Sequence, residues 1–293
     1  MTTTFRRALI AAGAVTAVGA AVFAPAALAG DRQDSYDDKG KGLQAVGLVD
    51  GTTIVGFSTA DPASAYEIGT VELAKDKYLV GIDYRVQDGE LYGVGDAGGL
   101  YMIDDEDAST DHIGQLTVAL DGENFGVDFN PAANALRVIS DAGQNLRQPF
   151  ATMPLAATLE DGDLTNPATA PATGTVIAEG VSGAAYTNND LEAVTATTLF
   201  DLDAALDRVA LQSPANSGTL AGTGNLPADI GPDAGFDIYT TLTDGVADGN
   251  AAFAAVDVAG EKRLWAVDVL TGGATDLGAF GADVTDLAVA LDQ

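Results

Sequence analysis

The chain of 293 residues carries 13 basic against 43 acidic side chains, a formal net charge of −30, with 47% hydrophobic residues and no cysteine. Disulfides, thiolate catalysis and cysteine-ligated metals are therefore excluded, and stability has to come from packing and backbone hydrogen bonds. A surface this acidic repels polyanions, which removes nucleic acid from the expected partners and disfavours an anionic membrane surface.

Residues 1–29 open with Arg6 and Arg7, continue as an uncharged apolar run from Ala8, and end on Ala27-Leu28-Ala29 before Gly30. That is the layout of a signal peptide with a small-x-small cleavage site. The expected protein is secreted or held at the cell envelope, exported by the general secretory or the twin-arginine route. The run is rich in Ala and Gly and is interrupted at Pro25, so no membrane insertion is expected after its removal. Loss of Arg6 and Arg7 takes the formal charge from −30 to −32. Residues 30–42 (GDRQDSYDDKGKG) contain no aliphatic side chain and are expected to form a flexible leader to one folded domain, 43–293.

From Leu43 onward, apolar residues alternate in short runs bounded by Gly, Asp, Asn and Pro, the pattern of strands and turns. Asp201 to Leu211 is the best helical candidate, although Arg208 to Leu211 reads equally as a strand. Five segments line up as the start of a repeating unit: Gly81-Ile82-Asp83-Tyr84, Gly126-Val127-Asp128-Phe129, Gly183-Ala184-Ala185-Tyr186, Gly235-Phe236-Asp237-Ile238 and, less closely, Asp286-Leu287-Ala288-Val289. They recur roughly every 45 to 55 residues, the period of four-stranded propeller blades. The last starter has almost no chain after it, and the first folded residues look like a unit lacking its starter. Joining the two closes a ring and removes an exposed sheet edge. The expected fold is all-β, a β-propeller of five blades with six as the other count: 43–75 with 284–293, then 78–120, 124–178, 180–223 and 234–281. The third carries an insertion, Met153 to Thr175, expected as a surface loop. A β-sandwich also has short strands with regular turns, but recurrence of a longer unit favours the propeller.

The run Gly126 to Arg147, with DFNP (Asp128 to Pro131), LRV (Leu136 to Val138) and GQNLR (Gly143 to Arg147), resembles the bacterial secreted family called domain of unknown function 4394. Leu91-Tyr92-Gly93, Gly99-Leu100-Tyr101, Ala185 to Asn189 and Thr197 to Asp201 extend the resemblance over most of Leu43 to Asp292. It implies a propeller-like extracellular domain and supplies no activity to transfer. Ala135 departs from the polar or charged residue expected before Leu136.

Several motifs dissolve on inspection. Gly93 to Gly98 spells a dinucleotide fingerprint, but a strand follows at once where a helix is needed, so Asp96 to Gly99 is read as a hairpin turn. His112 is the only histidine, which excludes His-pair metal sites, and it falls in an outer strand. Ser182 lacks the spacing of a nucleophile elbow. Asp104 to Asp111 lacks the alternation of a calcium loop and is read as a solvated charge run, and Trp265 as core.

Two constellations carry the functional expectation. Asp83, Asp128 and Asp237 share one place on three starter strands, where carboxylates converging on the channel either hold a cation such as calcium or repeat a structural job at the blade junctions. Asn130, Arg137, Asp141, Gln144, Asn145 and Arg147, joined by Asn188 and Asn189, form the densest polar cluster, a candidate ligand site. The arginines are otherwise expected to pair with Asp128 or Asp141. The leading functional expectation is a non-enzymatic extracellular scaffold for a small molecule, glycan or protein. The alternative is a hydrolase or lyase with a carboxylate-lined, calcium-assisted channel.

Overall fold

A computed structural model describes residues 42–292. The expected signal peptide and, apart from Gly42, the expected leader lie outside the described residues. The first blade contains β1 (Gln44–Val49), β2 (Thr53–Ser58) and β3 (Asp61–Thr70), and the second β4 (Leu79–Tyr84), β5 (Leu91–Gly95), β6 (Gly99–Ile103) and β7 (Thr110–Gln115). The third is β8 (Phe125–Asn130), β9 (Ala135–Ser140), β10 (Asn145–Pro149) and β11 (Leu159–Glu160), followed by a separate hairpin of β12 (Thr165–Pro167) and β13 (Thr175–Ile177). The fourth is β14 (Val181–Tyr186), β15 (Leu199–Asp203), β16 (Arg208–Gln212) and β17 (Leu220–Asn225). The fifth is β18 (Gly235–Thr243), β19 (Val246–Val258), β20 (Glu261–Val267) and β21 (Ala274–Ala279). The last strand, β22 (Val284–Val289), pairs antiparallel with β1 and completes the first blade. The molecule is a five-bladed β-propeller closed by its C-terminal strand.

The inner strands β22, β4, β8, β14 and β18 are neighbours around the axis in that order. The core is not central but lies in five apolar clusters, each made by the facing sides of two adjacent blades. Period-2 alternation produces this, because successive side chains of a strand point to opposite faces and each face of a blade meets a different neighbour. In β15, for example, Phe200 and Leu202 pack toward the fifth blade while Leu199 packs toward the third.

The span Asp201 to Leu211 takes the strand alternative: it is the end of β15, a turn, and β16, whose alternation Val209 and Leu211 continue. One expectation needs correction. The insertion Met153 to Thr175 is not simply a loop, since it contains the outermost strand of the third blade, β11, and the strand β12. Asp96 to Gly99 does turn β5 into β6, and His112 lies on the outer strand β7, edge-on to Tyr101 at 5.2 Å between centroids.

The glycine that opens four of the five starters marks where inner strands come closest. A Cβ on Gly126 would stand 2.6 Å from the Ala184 nitrogen of the next blade, and one on Gly235 would stand 2.5 Å from Asp286 Cα. Both clashes are with backbone or backbone-proximal atoms that cannot swing aside. Gly126→Ala is therefore expected to cost about 1–3 kcal/mol by forced displacement, whereas Gly249→Ala, where a Cβ meets nothing within 4 Å, stays within about 0.5 kcal/mol. Urea unfolding of both variants checks this, and equal midpoints would show that the inner strands are not held at contact distance.

Candidate functional site

An inner strand has a sheet partner on its outer side only, so every second backbone N–H points toward the axis with no strand to receive it. The residue after the starter aspartate position supplies one such group per blade: Tyr84, Phe129, Tyr186, Ile238 and Val289. Three carboxylates take all five. Asp83 accepts from Tyr84 N at 2.7 Å through Oδ1 and from Phe129 N at 2.7 Å through Oδ2. Asp128 accepts from Tyr186 N at 3.1 Å. Asp237 accepts from Ile238 N at 2.5 Å and from Val289 N at 2.6 Å. The equivalent positions in the fourth and first blades are then free to be Ala185 and Ala288. Asp286, which replaces the starter glycine of the first blade, accepts from Ile82 N at 2.8 Å in the second.

The same arrangement brings acid groups together. One carboxylate oxygen each from Asp83, Asp128 and Asp237 lies within 4.8 Å of the others, and the residues are 7, 2 and 4% exposed. Burial pushes the Asp83 and Asp128 carboxyls well above the usual range, with the charges of Asp237 and Asp83 respectively adding to it. Burial pushes Asp237 up to about 6, against the downward pull of the Val289 and Ile238 amides. Asp286 is raised by burial too. This is the one grouping of metal-ligating side chains of this kind among the described residues.

The polar cluster divides. Arg137 and Arg147 converge on Asp161, not on Asp128 or Asp141. Arg137 Nη1 donates to Asp161 Oδ2 at 2.8 Å, while Arg147 Nε and Nη2 donate to its two oxygens at 3.0 Å each. Burial would raise the Asp161 carboxyl, but the hydrogen bonds from Arg147 and Arg137 outweigh it and hold it below the ordinary value. Arg137 is buried and also donates to Asn145 Oδ1, Asn216 Oδ1 and the Tyr186 hydroxyl, so with Asn145 it knits the third blade to the fourth. Asp141 instead receives the amides of Glu123 and Asn124, and Gln144 bonds Asp121 N and Ala119 O, so these two clamp the loop before β8. Asn130 closes its turn by accepting from Ala133 N. Asn188 and Asn189 bind Asn250, Thr240 and Ile238, stitching the fourth blade to the fifth. Asp161, Asn216 and Asp286 were missed by sequence reasoning. Asp161 lay inside the insertion read as a loop, whereas Asp286 was readable as an acid standing where four starters have glycine.

Ser182 is buried, as is Trp265 in the cluster between the fourth and fifth blades. In the acidic run, Asp104 and Asp107 accept from Glu106 N and Ser109 N, and Asp105 receives the Tyr84 hydroxyl, so its carboxylates organise a turn. At the entry end of the inner strands a cleft of about 230 Å³ is lined by Tyr78, Phe125, Asp50, Glu123, Asp233 and Asp286, among others. Asp286, itself buried, forms part of its lining.

The family model described as Domain of unknown function (DUF4394) matches residues 53–288. Of solved structures, a nidogen/laminin complex is similar at 9% identity, covering 86% of this chain and 100% of that one with a TM-score of 0.47. A structural genomics protein of unknown function from Bacteroides thetaiotaomicron VPI-5482 follows at 11% identity, 86% and 67% coverage and 0.46. An auxiliary nutrient binding protein from the same organism has 13% identity and 0.40, over 71% of this chain, which spans 56% of that one. At this distance none of them speaks to function. No curated protein matches the sequence. Among the described residues no helix is long and apolar enough to cross a membrane.

Four buried carboxyls with raised pKa values bind more protons in the folded than in the unfolded chain. The stabilisation is fully present below the unfolded value, 3.8, and is lost as pH rises through the folded values, about 6 for Asp237. The melting midpoint is expected to fall by about 5 °C between roughly pH 5 and 7.5, and by clearly less in the Asp83→Asn, Asp128→Asn, Asp237→Asn triple variant. Parallel pH profiles of the two proteins would show that these groups do not carry the linkage.

Proposed function

The chain belongs to the family described as Domain of unknown function (DUF4394), and we propose that it acts as a secreted, non-enzymatic binding scaffold that takes its ligand at the acidic mouth of the channel. One observation carries this reading: the aspartates best placed for chemistry are buried and spend their oxygens on the five axial N–H groups. The arginine cluster is likewise bonded within the protein. What remains open to a ligand is the mouth, where Tyr78 is half exposed and every charged lining residue is an acid, with Asp233 already paired with Lys262. Acids beside aromatic faces suit a cationic group, an amine or a Lys/Arg side chain of a partner protein. Secretion rests on the signal-peptide pattern of residues 1–29. A hydrolase or lyase would need the same three carboxyls to meet a substrate, and their burial weighs against it.

Calorimetric titration of the chain from Gly30 with spermidine and, separately, with a neutral trisaccharide tests the reading. Saturable spermidine binding that weakens by about tenfold when Tyr78→Ala and Glu123→Gln are combined is expected, an effect of about 1.4 kcal/mol. Binding that both substitutions leave untouched would place the ligand elsewhere.

A second reading is favoured by the 4.8 Å convergence of Asp83, Asp128 and Asp237. Calcium–oxygen distances of about 2.3–2.6 Å allow ligand oxygens to stand up to about 5 Å apart, so a calcium ion fits the span and would replace the protons held there. Millimolar calcium at neutral pH is then expected to raise the melting midpoint beyond a matched ionic-strength control, and to lose this effect in the triple Asn variant. An equal rise with sodium alone would reduce it to screening.

A further inference from the structure

The interface between the third and fourth blades contains three oxygen acceptors for which the protein supplies no donor: both carboxylate oxygens of Asp201 and Gln212 Oε1. Asp201 is 0% and Gln212 2% exposed. They are neighbours by register: Asp201 pairs with Ala210 across β15 and β16, and Gln212 stands two places further along the same face. Around them are the apolar side chains of Ile139, Leu164, Ala184 and Ala210. An oxygen buried there without a hydrogen bond costs about 1–3 kcal/mol, and three at one spot imply a missing partner.

The surroundings specify that partner. Reversing the Gln212 amide does not help, because its nitrogen already donates to Ala215 O at 2.6 Å and faces Asn145 Oδ1 at 3.4 Å, both acceptors. Burial pushes the Asp201 carboxyl well above the usual range, and the charge of Arg137, facing the site from the third blade, acts against that rise. Four of the five guanidinium N–H groups are engaged, by Tyr186, Asn145, Asp161 and Asn216, and one on Nη2 is left over. Charge leaves no room for a cation, because Arg137 and Arg147 already outnumber their shared partner Asp161 and Asp203 is matched by Arg208, and an anion has nothing to donate to three oxygen acceptors. The partner must be small and neutral, donate to at least two oxygens and accept one N–H.

We propose that the joint between the third and fourth blades is built around an internal water site, in which buried water donates to Asp201 and Gln212 and accepts from Arg137 Nη2. Water serves both protonation states of Asp201, since it accepts from the neutral acid as readily as it donates to the carboxylate. Buried waters typically make about three such bonds and belong to the structure they complete. This joint is thereby polar and hydrated, where the joint between the fourth and fifth blades is packed by Phe200, Phe236 and Trp265.

A crystal structure of the protein at about 1.5 Å or better, paired with a rubidium soak, tests the proposal. The expected result is a full-occupancy peak within hydrogen-bond distance of an Asp201 oxygen and Gln212 Oε1, with no anomalous rubidium signal. Rubidium at the peak would overturn it in favour of a cation site. Direct protein bonds to all three oxygens, with no peak between them, would overturn it as well.

Discussion

Closing five sheets around an axis leaves five inner strand edges facing one another with nothing to pair with, and the hydrogen bonds that resolve this determine much else in the molecule. Strand edges are normally satisfied by another strand or by solvent. Here Asp83, Asp128 and Asp237 divide five equivalent N–H groups as two, one and two. Three of these bonds cross to the next blade, so the same side chains that satisfy the edge also fasten the ring. Such bonds contribute about 0.5–1.5 kcal/mol each while the acceptor is protonated and about 1.5–3 kcal/mol once it is ionised, which offsets part of the cost of bringing acids into the interior.

That solution has an electrostatic consequence. Three carboxyls close enough to share one small volume cannot all stay ionised without a counter-charge, and Asp286 adds a fourth nearby. Protons supply the counter-charge in acid, and a divalent cation is the chemical alternative near neutrality. Asp286 links the two regions: it lines the mouth and its charge acts on both Asp83 and Asp128. Of the other acids at the mouth, Asp233 is already paired with Lys262, which leaves Asp50 and Glu123 to meet a cationic group.

The ring was legible in the starter segments because each blade has to repeat the same close approach and the same axial N–H. Glycine recurs where Gly126 meets Ala184, and aspartate recurs where an amide needs an acceptor. Closure was legible because the segment near Asp286 matches the other starters while the first folded residues lack one, and β22 indeed pairs with β1. The repetition of aspartate was correctly suspected of a structural role, but the sequence had no means of showing that three acids serve five amides. The polar cluster misled because nearness along the chain is not nearness in a sheet: Arg137 and Arg147 face each other across β9 and β10, while Asp141 and Gln144 lie at the turn between them. Their true partner, Asp161, lies in an irregular insertion where no period reports on position.

Amide hydrogen exchange at Tyr84, Phe129, Tyr186, Ile238 and Val289, followed in the native protein and in Asp128→Ala, reads the axial bonds one by one. All five amides are expected to exchange only through global unfolding, and the substitution to accelerate Tyr186 selectively while Phe129 and Val289 stay protected. Fast exchange at these amides in the native protein, or a Tyr186 amide indifferent to the loss of Asp128, would contradict this pattern of bonds.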